Sequence, residues 1–176
     1  MIKLYKQDGE RLLYWETWED GGKHIMHWGE VGDEGETQSV RSGLFRDADK
    51  TVAEETERRK QEGYAEIDDA ALQTVLIQYR LETWGSPEDL ERRHAIEDLM
   101  DNQLGWTGLG HCDGGDIGSG TINVCCLVVD AERAAPVMVR ILKEADQLEG
   151  AVIAQELEEG FKVLHPADFE GDFGYV

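Results

Sequence analysis

The residue types best suited to chemistry are crowded into one glycine-rich stretch, residues 108–120. It holds His111, Cys112, Asp113 and Asp116 among six glycines in thirteen residues. The carboxylates of Asp113 and Asp116 are oxygen ligands of the kind that hard cations such as Ca²⁺ and Mg²⁺ prefer. Their spacing lacks the later glutamate of an EF-hand loop. A divalent cation is therefore a candidate cofactor of this stretch.

Softer ligands in and near the same stretch offer an alternative metal site. His111 and Cys112 supply nitrogen and sulfur, which suit Zn²⁺. Either Cys125 or Cys126 could join them across a hairpin, but not both, because neighbours on a strand point to opposite faces. The same alternation makes His111 a poor base for a Cys112 nucleophile. A third interpretation is structural, since glycine and aspartate permit the positive φ angles that turns require.

No enzyme signature accompanies these residues. Glycine-rich loops bind phosphate where they open a helix, whereas this loop is predicted to connect two strands, and no Lys-Ser/Thr pair follows it. None of the many carboxylates stands out from the acidic background as a general acid and base pair. We therefore predict a protein that is not an enzyme. A metal-dependent or small-ligand site in the glycine and aspartate loop is the alternative.

Charge is the strongest global constraint on function. The chain has 17 basic and 38 acidic residues, for a formal net charge of −21. Residues 1–66 hold 10 Lys or Arg and 16 Asp or Glu, and residues 67–176 hold 7 and 22. A nucleic-acid binder normally carries a basic footprint, because neutralising phosphates drives its affinity. Neither part has one, so the acidity indicates either simple solubility or attraction to a basic partner or to cations.

The composition also predicts the compartment. No apolar run approaches the roughly 20 residues that a membrane helix needs. Residues 1–8 contain no apolar core of a signal peptide. The chain has three cysteines, of which two are adjacent, and this is a poor disulfide framework. We therefore expect a cytoplasmic protein that does not enter the membrane. Its 176 residues suffice for two small domains.

Residues 1–66 are predicted to form an antiparallel sheet with one helix. Alternating apolar residues and glycine turns predict strands over 2–6, 11–18, 24–28 and 38–41. The apolar residues of the predicted helix, 45–62, recur at helical spacing: Leu44, Phe45, Ala48, Val52 and Ala53. Gly63 stands where a C-cap glycine belongs, after the basic residues Arg58, Arg59 and Lys60.

Residues 71–165 are predicted to form a second, acidic α+β domain after a linker over 66–70. Its predicted strands are 74–82, 105–111, 121–129, 151–156 and 161–165, and its helices are 86–103 and 131–147. The order βαββαβ is the ferredoxin-like pattern, an antiparallel sheet with two helices on one face. Such sheets often dimerise, so fold-level analogy makes a homodimer one option. The acidic, aromatic tail 166–176 is expected to be loosely held.

The first domain resembles the WGR domain family. The matching positions span the domain and are Trp28, Gly29, Val31, Gly32, Gly35, Glu36, Thr37, Gly63 and Tyr64. The resemblance implies a small antiparallel sheet with one helix packed across it. The family occurs in poly(ADP-ribose) polymerases and in bacterial proteins related to a molybdate-metabolism regulator. In the polymerases the tryptophan and arginine of the motif help to engage DNA ends.

One position departs from that family pattern, because Glu30 stands where the motif has its arginine. An arginine offers donors and positive charge to phosphate, whereas a glutamate offers acceptors and repulsion. More negative charge surrounds Glu30 at Asp33, Glu34 and Glu36. No polymerase catalytic domain follows, since the chain after residue 70 is too short and differently patterned.

Nucleic-acid binding stays open as an alternative function. Trp28 matches the family tryptophan and could stack on a base or sugar, or else pack in the core beneath the helix. The basic residues available to meet phosphate are Lys23, His24, His27, Arg41, Arg58, Arg59 and Lys60. The leading hypothesis is a cytoplasmic interaction or regulatory protein with a protein partner. DNA-end binding through the first domain is the alternative.

Overall fold

A computed structural model describes residues 1–43, 47–82 and 84–174. These residues form an α+β protein with two antiparallel sheets, of four and five strands, and three α-helices. The predicted α+β class is therefore confirmed. The chain divides into two compact units: Met1–Asp69 with Trp106–Gly108, and Ala70–Gly105 with the residues from Leu109 onward. Among the described residues, no helix has the length and apolar character needed to cross a membrane.

The sheet of the first unit is a simple meander in the order β1-β2-β3-β4. Its strands are β1 (Ile2–Asp8), β2 (Arg11–Asp20), β3 (Lys23–Glu30) and β4 (Glu36–Val40). The connection between β1 and β2 contains Gly9, whose φ of +63° is a conformation that glycine adopts without strain. Each predicted strand of this sheet exists, with bounds shifted by up to two residues.

Helix α1 (Ala48–Gln61) follows the sheet in the chain. The side chain of Asp47 caps its first turn by accepting a hydrogen bond from the backbone N–H of Lys50 at 3.1 Å. Gly63 lies just beyond its end with φ of +95°, as a C-terminal glycine should. Of the predicted helical stripe, Leu44 and Phe45 lie outside the described residues.

One face of this sheet and helix α1 enclose the apolar core of the first unit. Each strand contributes one side chain to this core, helix α1 contributes two that are one turn apart, and one residue after the helix completes it: Leu4, Trp15, Met26, Val40, Ala48, Val52 and Tyr64. Trp15 is fully buried at the centre of this layer. Burying a side chain of that size contributes about 3 kcal/mol or more to stability. This core fixes α1 across the sheet, and so places the helix residues that border the candidate site.

The second unit contains a five-stranded sheet and two helices. In chain order they are β5 (Gln73–Arg80), α2 (Pro87–Trp106), β6 (Gly110–Gly118), β7 (Thr121–Val128), α3 (Ala131–Glu144), β8 (Val152–Glu156) and β9 (Phe161–His165). The strand order across the sheet is β6-β7-β5-β8-β9, with antiparallel neighbours throughout. A short 3₁₀ turn, Asp69–Ala71, precedes β5.

Both helices of the second unit cover the sheet face that carries Tyr79. The guanidinium of Arg92 on α2 lies 4.1 Å from the centre of the Tyr79 ring. The Tyr79 hydroxyl donates a hydrogen bond of 2.8 Å to the carbonyl of Gln147, which follows α3. Fully buried apolar residues on both helices, including Met100 and Met138, fill the space between the helices and the sheet.

The glycine-rich stretch is not the hairpin loop that the sequence predicts, and the predicted strand 105–111 is wrong. Helix α2 continues through Gly105 to Trp106, and the stretch itself forms strand β6. A Cβ on Gly110 would lie 2.0 Å from the carbonyl oxygen of Leu127, and one on Gly115 would lie 2.2 Å from a backbone oxygen of β7. These two glycines therefore serve close strand approach rather than loop flexibility.

The described part of the chain after β9 makes aromatic and hydrogen-bond contacts with the second unit. The rings of Phe161 and Phe173 meet edge to face with centroids 5.1 Å apart. Phe169 lies against Phe173 at 6.3 Å. The side-chain amide of Gln78 donates to the carbonyl of Gly174 at 3.1 Å. The aromatic packing and this hydrogen bond connect the segment to Phe161 on β9 and to Gln78 on β5.

Capping of α1 gives a direct test of this fold. Replacing Asp47 by alanine removes the acceptor for the first-turn N–H, and should lower the free energy of unfolding by about 1 kcal/mol. Asp47→Asn keeps a capping oxygen and should stay near wild type. Urea denaturation followed by circular dichroism measures both variants. Equal losses for the two substitutions would show that the cap does not stabilise α1.

Candidate functional site

Trp28 lies near the end of β3, on the sheet face that α1 covers. Its Cα partners in the sheet are Trp15 on β2 and Glu36 on β4. The indole is half-buried and packs against the core of the first unit. Trp28 therefore contributes to the core, as one interpretation of the sequence has it, and part of its indole also lies at the surface.

Two surface grooves meet at Trp28. The first, called the helix groove, has a volume of about 310 Å³ and is lined by Trp15, Met26, Trp28, Gln38, Thr51, Glu55, Arg58 and Arg59. The second, called the acidic groove, has a volume of about 340 Å³ and is lined by Arg11, Leu13, Trp28, Gly29, Glu30, Asp33, Gly35, Glu36 and Tyr64. The acidic groove contains most of the motif positions singled out in the sequence.

Negative charge predominates in the acidic groove. Among the described residues that line it, Arg11 is the one cation, and its Nε donates to Glu30 Oε2 at 2.7 Å. That hydrogen bond and the charge of Glu30 raise the pKa of Arg11. Asp33 and Glu36 are exposed on the rim. The groove therefore presents a half-buried indole beside two exposed carboxylates.

Arg58 and Arg59 line the helix groove beside Trp28, but both are ion-paired within α1. Arg59 Nε lies 3.0 Å from Glu55 Oε1, and Arg58 also contacts this carboxylate. Glu62 lies 3.5 Å from Arg58 and 3.7 Å from Arg59. The hydrogen bond from Arg58 is the main cause that lowers the pKa of Glu55, and partial burial opposes it. Two carboxylates thus offset the two guanidinium groups.

The other predicted phosphate contacts do not gather at Trp28. Lys60 Nζ lies 3.9 Å from a carboxylate of its own helix. Lys23 lies five residues from Trp28 along β3, about 16 Å at the usual rise of a strand, and pairs with Asp20 at 3.5 Å. Trp28 pairs with the first residue of β4, whereas Arg41 follows the last. The predicted cations are therefore spread over both ends of the sheet.

His27 is not a surface cation, as the sequence suggests, but the centre of a buried polar chain. Its side chain is 0% exposed, and Nδ1 lies 2.8 Å from Glu16 Oε1. Nε2 lies 3.0 Å from the Tyr14 hydroxyl and is hydrogen-bonded to the carbonyl of Glu34. Tyr14, Glu16 and His27 share the sheet face opposite α1, which the alternation of β2 and β3 dictates. Hydrogen bonds from Tyr14 and His27 to the carbonyl of Glu34 hold the connection from β3 to β4 against this face of the sheet.

Hydrogen bonding favours the charged form of His27. Burial alone would lower the pKa of His27, but the bonds to Glu16 and to the Glu34 carbonyl together raise it. The positive charge of Lys3, whose Nζ lies 3.4 Å from Glu16 Oε2, opposes that rise. Tyr14 adds no charge, since burial raises the pKa of its hydroxyl. The imidazolium donates through both nitrogens, so it ties Glu16 to the backbone at Glu34.

Three aromatic rings enclose the His27 imidazole. The rings of Tyr14 and Trp106 lie 5.0 Å from it, and that of Trp18 lies 6.2 Å away. The backbone of the segment Trp106–Gly108 completes this face of the first unit. Its Thr107 carbonyl accepts from the N–H of Gly32 at 2.9 Å, and its Gly108 carbonyl accepts from the Tyr5 hydroxyl at 3.0 Å. No local sequence signal connects residues so distant in the chain.

Two glycines of the motif are needed because the backbone folds tightly over Tyr14. A Cβ on Gly29 would lie 2.8 Å from the Cα of Gly35. A Cβ on Gly35 would lie 2.3 Å from the carbonyl oxygen of Trp28 and 2.4 Å from the Tyr14 hydroxyl. Gly35 also has φ of +70°. Any side chain at these positions would push apart β3 and the segment that leads into β4.

The remaining motif positions have structural roles. Gly32 has φ of +105° in the turn after β3. Thr37 on β4 is exposed and has His27 as its Cα partner. Tyr64, after Gly63, is 8% exposed and belongs to the core of the first unit. The motif therefore marks a folded connection rather than a set of converging polar groups.

The structure does not assemble the metal site considered for the glycine-rich stretch. Asp113 occupies the bulge where β6 shifts register, His111 is exposed, and Asp116 accepts a hydrogen bond of 2.8 Å from an asparagine amide. Cys112 alone meets a second cysteine, its partner Cys126. Within residues 1–43, 47–82 and 84–174, no group of three or more His, Cys, Asp or Glu residues is placed to hold a metal ion.

The fold and the site define an α+β protein with an aromatic and acidic groove on its first unit. Comparisons with protein families, with curated proteins and with solved structures give no match.

Close packing at Gly35 predicts a large cost for one added methyl group. Gly35→Ala combines a left-handed φ, about 1 kcal/mol for a non-glycine residue, with a clash that adds about 1–3 kcal/mol. The expected loss of unfolding free energy is about 2–4 kcal/mol by urea denaturation. Gly9→Ala is the matched control, because Gly9 has φ of +63° but open space around its Cα. Equal effects of the two substitutions would disprove the role of the close approach.

The raised pKa of His27 predicts a pH dependence of stability. A histidine whose folded pKa exceeds its unfolded value stabilises fully below the unfolded pKa, and this contribution is lost as pH rises through the folded pKa. The free energy of unfolding should therefore decrease from mildly acidic to alkaline pH, and His27→Gln should flatten that slope. His111→Gln, at an exposed histidine, is the control. An unchanged slope in His27→Gln would contradict the charged form of His27.

Proposed function

We propose that this protein is a non-enzymatic recognition module that binds a basic segment of a protein partner at the acidic groove of its first unit. The observation that carries the proposal is the half-buried indole of Trp28 beside the exposed carboxylates of Asp33 and Glu36. A lysine or arginine side chain is the natural ligand for this combination. Its stem can pack on the indole while its charged end meets a carboxylate.

The two units also support the proposed fold types. A four-stranded meander with one helix across it agrees with a WGR-like domain, and the motif glycines lie in its tightest connection. In the second unit, the order β6-β7-β5-β8 agrees with a ferredoxin-like βαββαβ sheet, to which β9 adds a fifth strand. We assign the protein to the cytoplasm, whose reducing conditions suit a chain with three free cysteines.

Electrostatics favour a basic peptide over nucleic acid at this site. Glu30 stands at the position of the family arginine. Its carboxylate is ion-paired with Arg11, so the guanidinium of Arg11 does not offer an uncompensated positive charge to a phosphate. The guanidinium groups of Arg58 and Arg59 in the helix groove are offset by Glu55 and Glu62. A phosphate at Trp28 would therefore meet Asp33 and Glu36, and the described residues lining the two grooves supply no matching excess of cations.

Fluorescence anisotropy with the full chain tests this proposal. The probes are a labelled peptide alternating lysine or arginine with small residues, a glutamate analogue of that peptide, and a labelled blunt DNA duplex. We expect saturable binding of the basic peptide that weakens with salt, and no comparable binding of the other two. Glu36→Lys removes an attraction and adds a repulsion, so affinity for the basic peptide should fall about tenfold.

Glu158→Lys provides the matched control for Glu36→Lys. It makes the same charge change at an exposed position between β8 and β9, remote in sequence from the groove residues. Trp28→Leu keeps an apolar side chain on the core but removes the indole, and should also weaken peptide binding. Equal effects of Glu36→Lys and Glu158→Lys would reduce the interaction to net charge. Binding of the DNA duplex alone would refute the proposal and favour the family role.

A further inference from the structure

Two cysteines face each other across neighbouring strands of the second unit. Cys112 on β6 and Cys126 on β7 are Cα partners. Partners in an antiparallel pair have Cα atoms roughly 4.5–5.5 Å apart, which falls within the roughly 4.4–6.8 Å spanned by disulfides. Cys126 acts on the Cys112 thiol as a hydrogen-bond partner, and the Cys112 thiol donates in turn to the backbone carbonyl of Cys125 at 3.4 Å. The pairing of the strands therefore places the two cysteines at a backbone separation that a disulfide can span.

The two thiols differ in access and in surroundings. Cys126 is 0% exposed, whereas Cys112 is only partly buried. Cys112 lies on β6, which is an edge strand of the sheet. Its backbone N–H donates to Asp101 Oδ1 at 3.2 Å, and the strand bulges immediately after it. An oxidant from solvent can therefore reach Cys112 but not Cys126.

The hydrogen bond from Cys126 to Cys112 also makes the two thiols differ in how readily they ionise. The bond donated by Cys126 lowers the pKa of Cys112, although burial and the nearby carboxylates of Glu97 and Asp101 oppose that effect. The same bond, together with burial, raises the pKa of Cys126 well above its usual range. Cys112 is thus the sulfur that more readily ionises, and the thiolate is the reactive form of cysteine.

We propose that Cys112 and Cys126 form a reversible dithiol–disulfide pair that is oxidised by a hydroperoxide, with Cys112 as the attacking thiol and Cys126 as the resolving thiol. The oxidant must be small because Cys112 is partly buried, and uncharged because Glu97 and Asp101 repel anions. Hydrogen peroxide meets both conditions. A glutathione-type disulfide, which is bulky and anionic, meets neither.

The chemistry requires no other reactant. The Cys112 thiolate attacks one oxygen of the peroxide, the O–O bond breaks, and the hydroxide released takes up a proton to become water. Cys112 is then a sulfenic acid. The Cys126 sulfur attacks the Cys112 sulfur, the S–O bond breaks, and the hydroxyl group leaves as water with the Cys126 proton. Two thiols are oxidised by two electrons, one peroxide is reduced, and an added dithiol reductant reverses the change.

Cys125 provides an internal control for this pair. It neighbours Cys126 on β7, so its side chain points to the opposite face of the sheet. Burial is the main cause that raises the pKa of Cys125 to about 11. Cys125 should therefore stay reduced when the other two cysteines are oxidised, and Cys125→Ser should react like the wild type.

The test treats the folded full chain with hydrogen peroxide, alkylates the remaining thiols and measures the intact mass. Wild type and Cys125→Ser should each lose two alkylatable thiols, and digestion should yield the linked Cys112 and Cys126 peptides. Dithiothreitol should restore both thiols. Cys126→Ser and Cys126→Ala cannot form the disulfide, so Cys112 should accumulate as a sulfenic acid that dimedone traps. Cys112→Ser should show neither product, and circular dichroism verifies that each variant is folded.

Three results would overturn the pair. These are three alkylatable thiols left in peroxide-treated wild type, direct conversion of Cys112 to sulfinic acid, and a disulfide through Cys125 between two chains. Faster oxidation by glutathione disulfide than by hydrogen peroxide at equal concentration would overturn the choice of oxidant. Dimedone trapping at Cys126 in Cys112→Ser would reverse the assigned roles.

Discussion

The first unit depends on the burial of one phenol and one imidazole beneath a backbone that closes over them. Tyr14 and His27 occupy neighbouring strands on the sheet face away from α1, where a polar group without partners would cost about 1–3 kcal/mol. Their partners are Glu16 and the carbonyl of Glu34, so the connection between β3 and β4 must stay close to the sheet. The glycines of the motif follow from that closeness. The motif glycines of this chain therefore have, first of all, a structural role in the close packing of the backbone.

Near Trp28, the shape of the backbone and the charge of the groove therefore depend on different residues. Gly29 and Gly35, and not Glu30, allow the backbone to close, so the shape of this connection does not depend on the charge at position 30. Glu30 carries a negative charge at this position, and Arg11 on the adjacent strand forms an ion pair with it at 2.7 Å. An exposed pair of this kind contributes about 1 kcal/mol or less to stability. Its larger effect is on the electrostatic character of the groove that Trp28 borders.

Local pattern predicted much of this fold and little of its buried chemistry. Period-two alternation in β2 and the turn glycines were enough for the first sheet, because each depends on neighbours in the chain. The glycines of β6 misled for the same reason: glycine signals a loop locally, and only the β7 backbone shows that Gly110 allows close approach. The sequence presents His27 as a surface cation, whereas in the structure Glu16 and Trp106 enclose it. Such partners come from other strands and from distant sequence, which periodicity does not encode.

The segment Trp106–Gly108 has a consequence for the order in which the chain can acquire its structure. The ribosome releases Met1–Asp69 well before residue 106, yet the first unit counts this later segment among its own residues. Until the segment emerges, the Tyr5 hydroxyl and the Gly32 N–H lack the acceptors that they have in the finished protein. Successive domains usually fold in order from the N-terminus during synthesis, but the first unit cannot be completed in that order. The first sheet reaches its final state only after the whole of helix α2 has been synthesised.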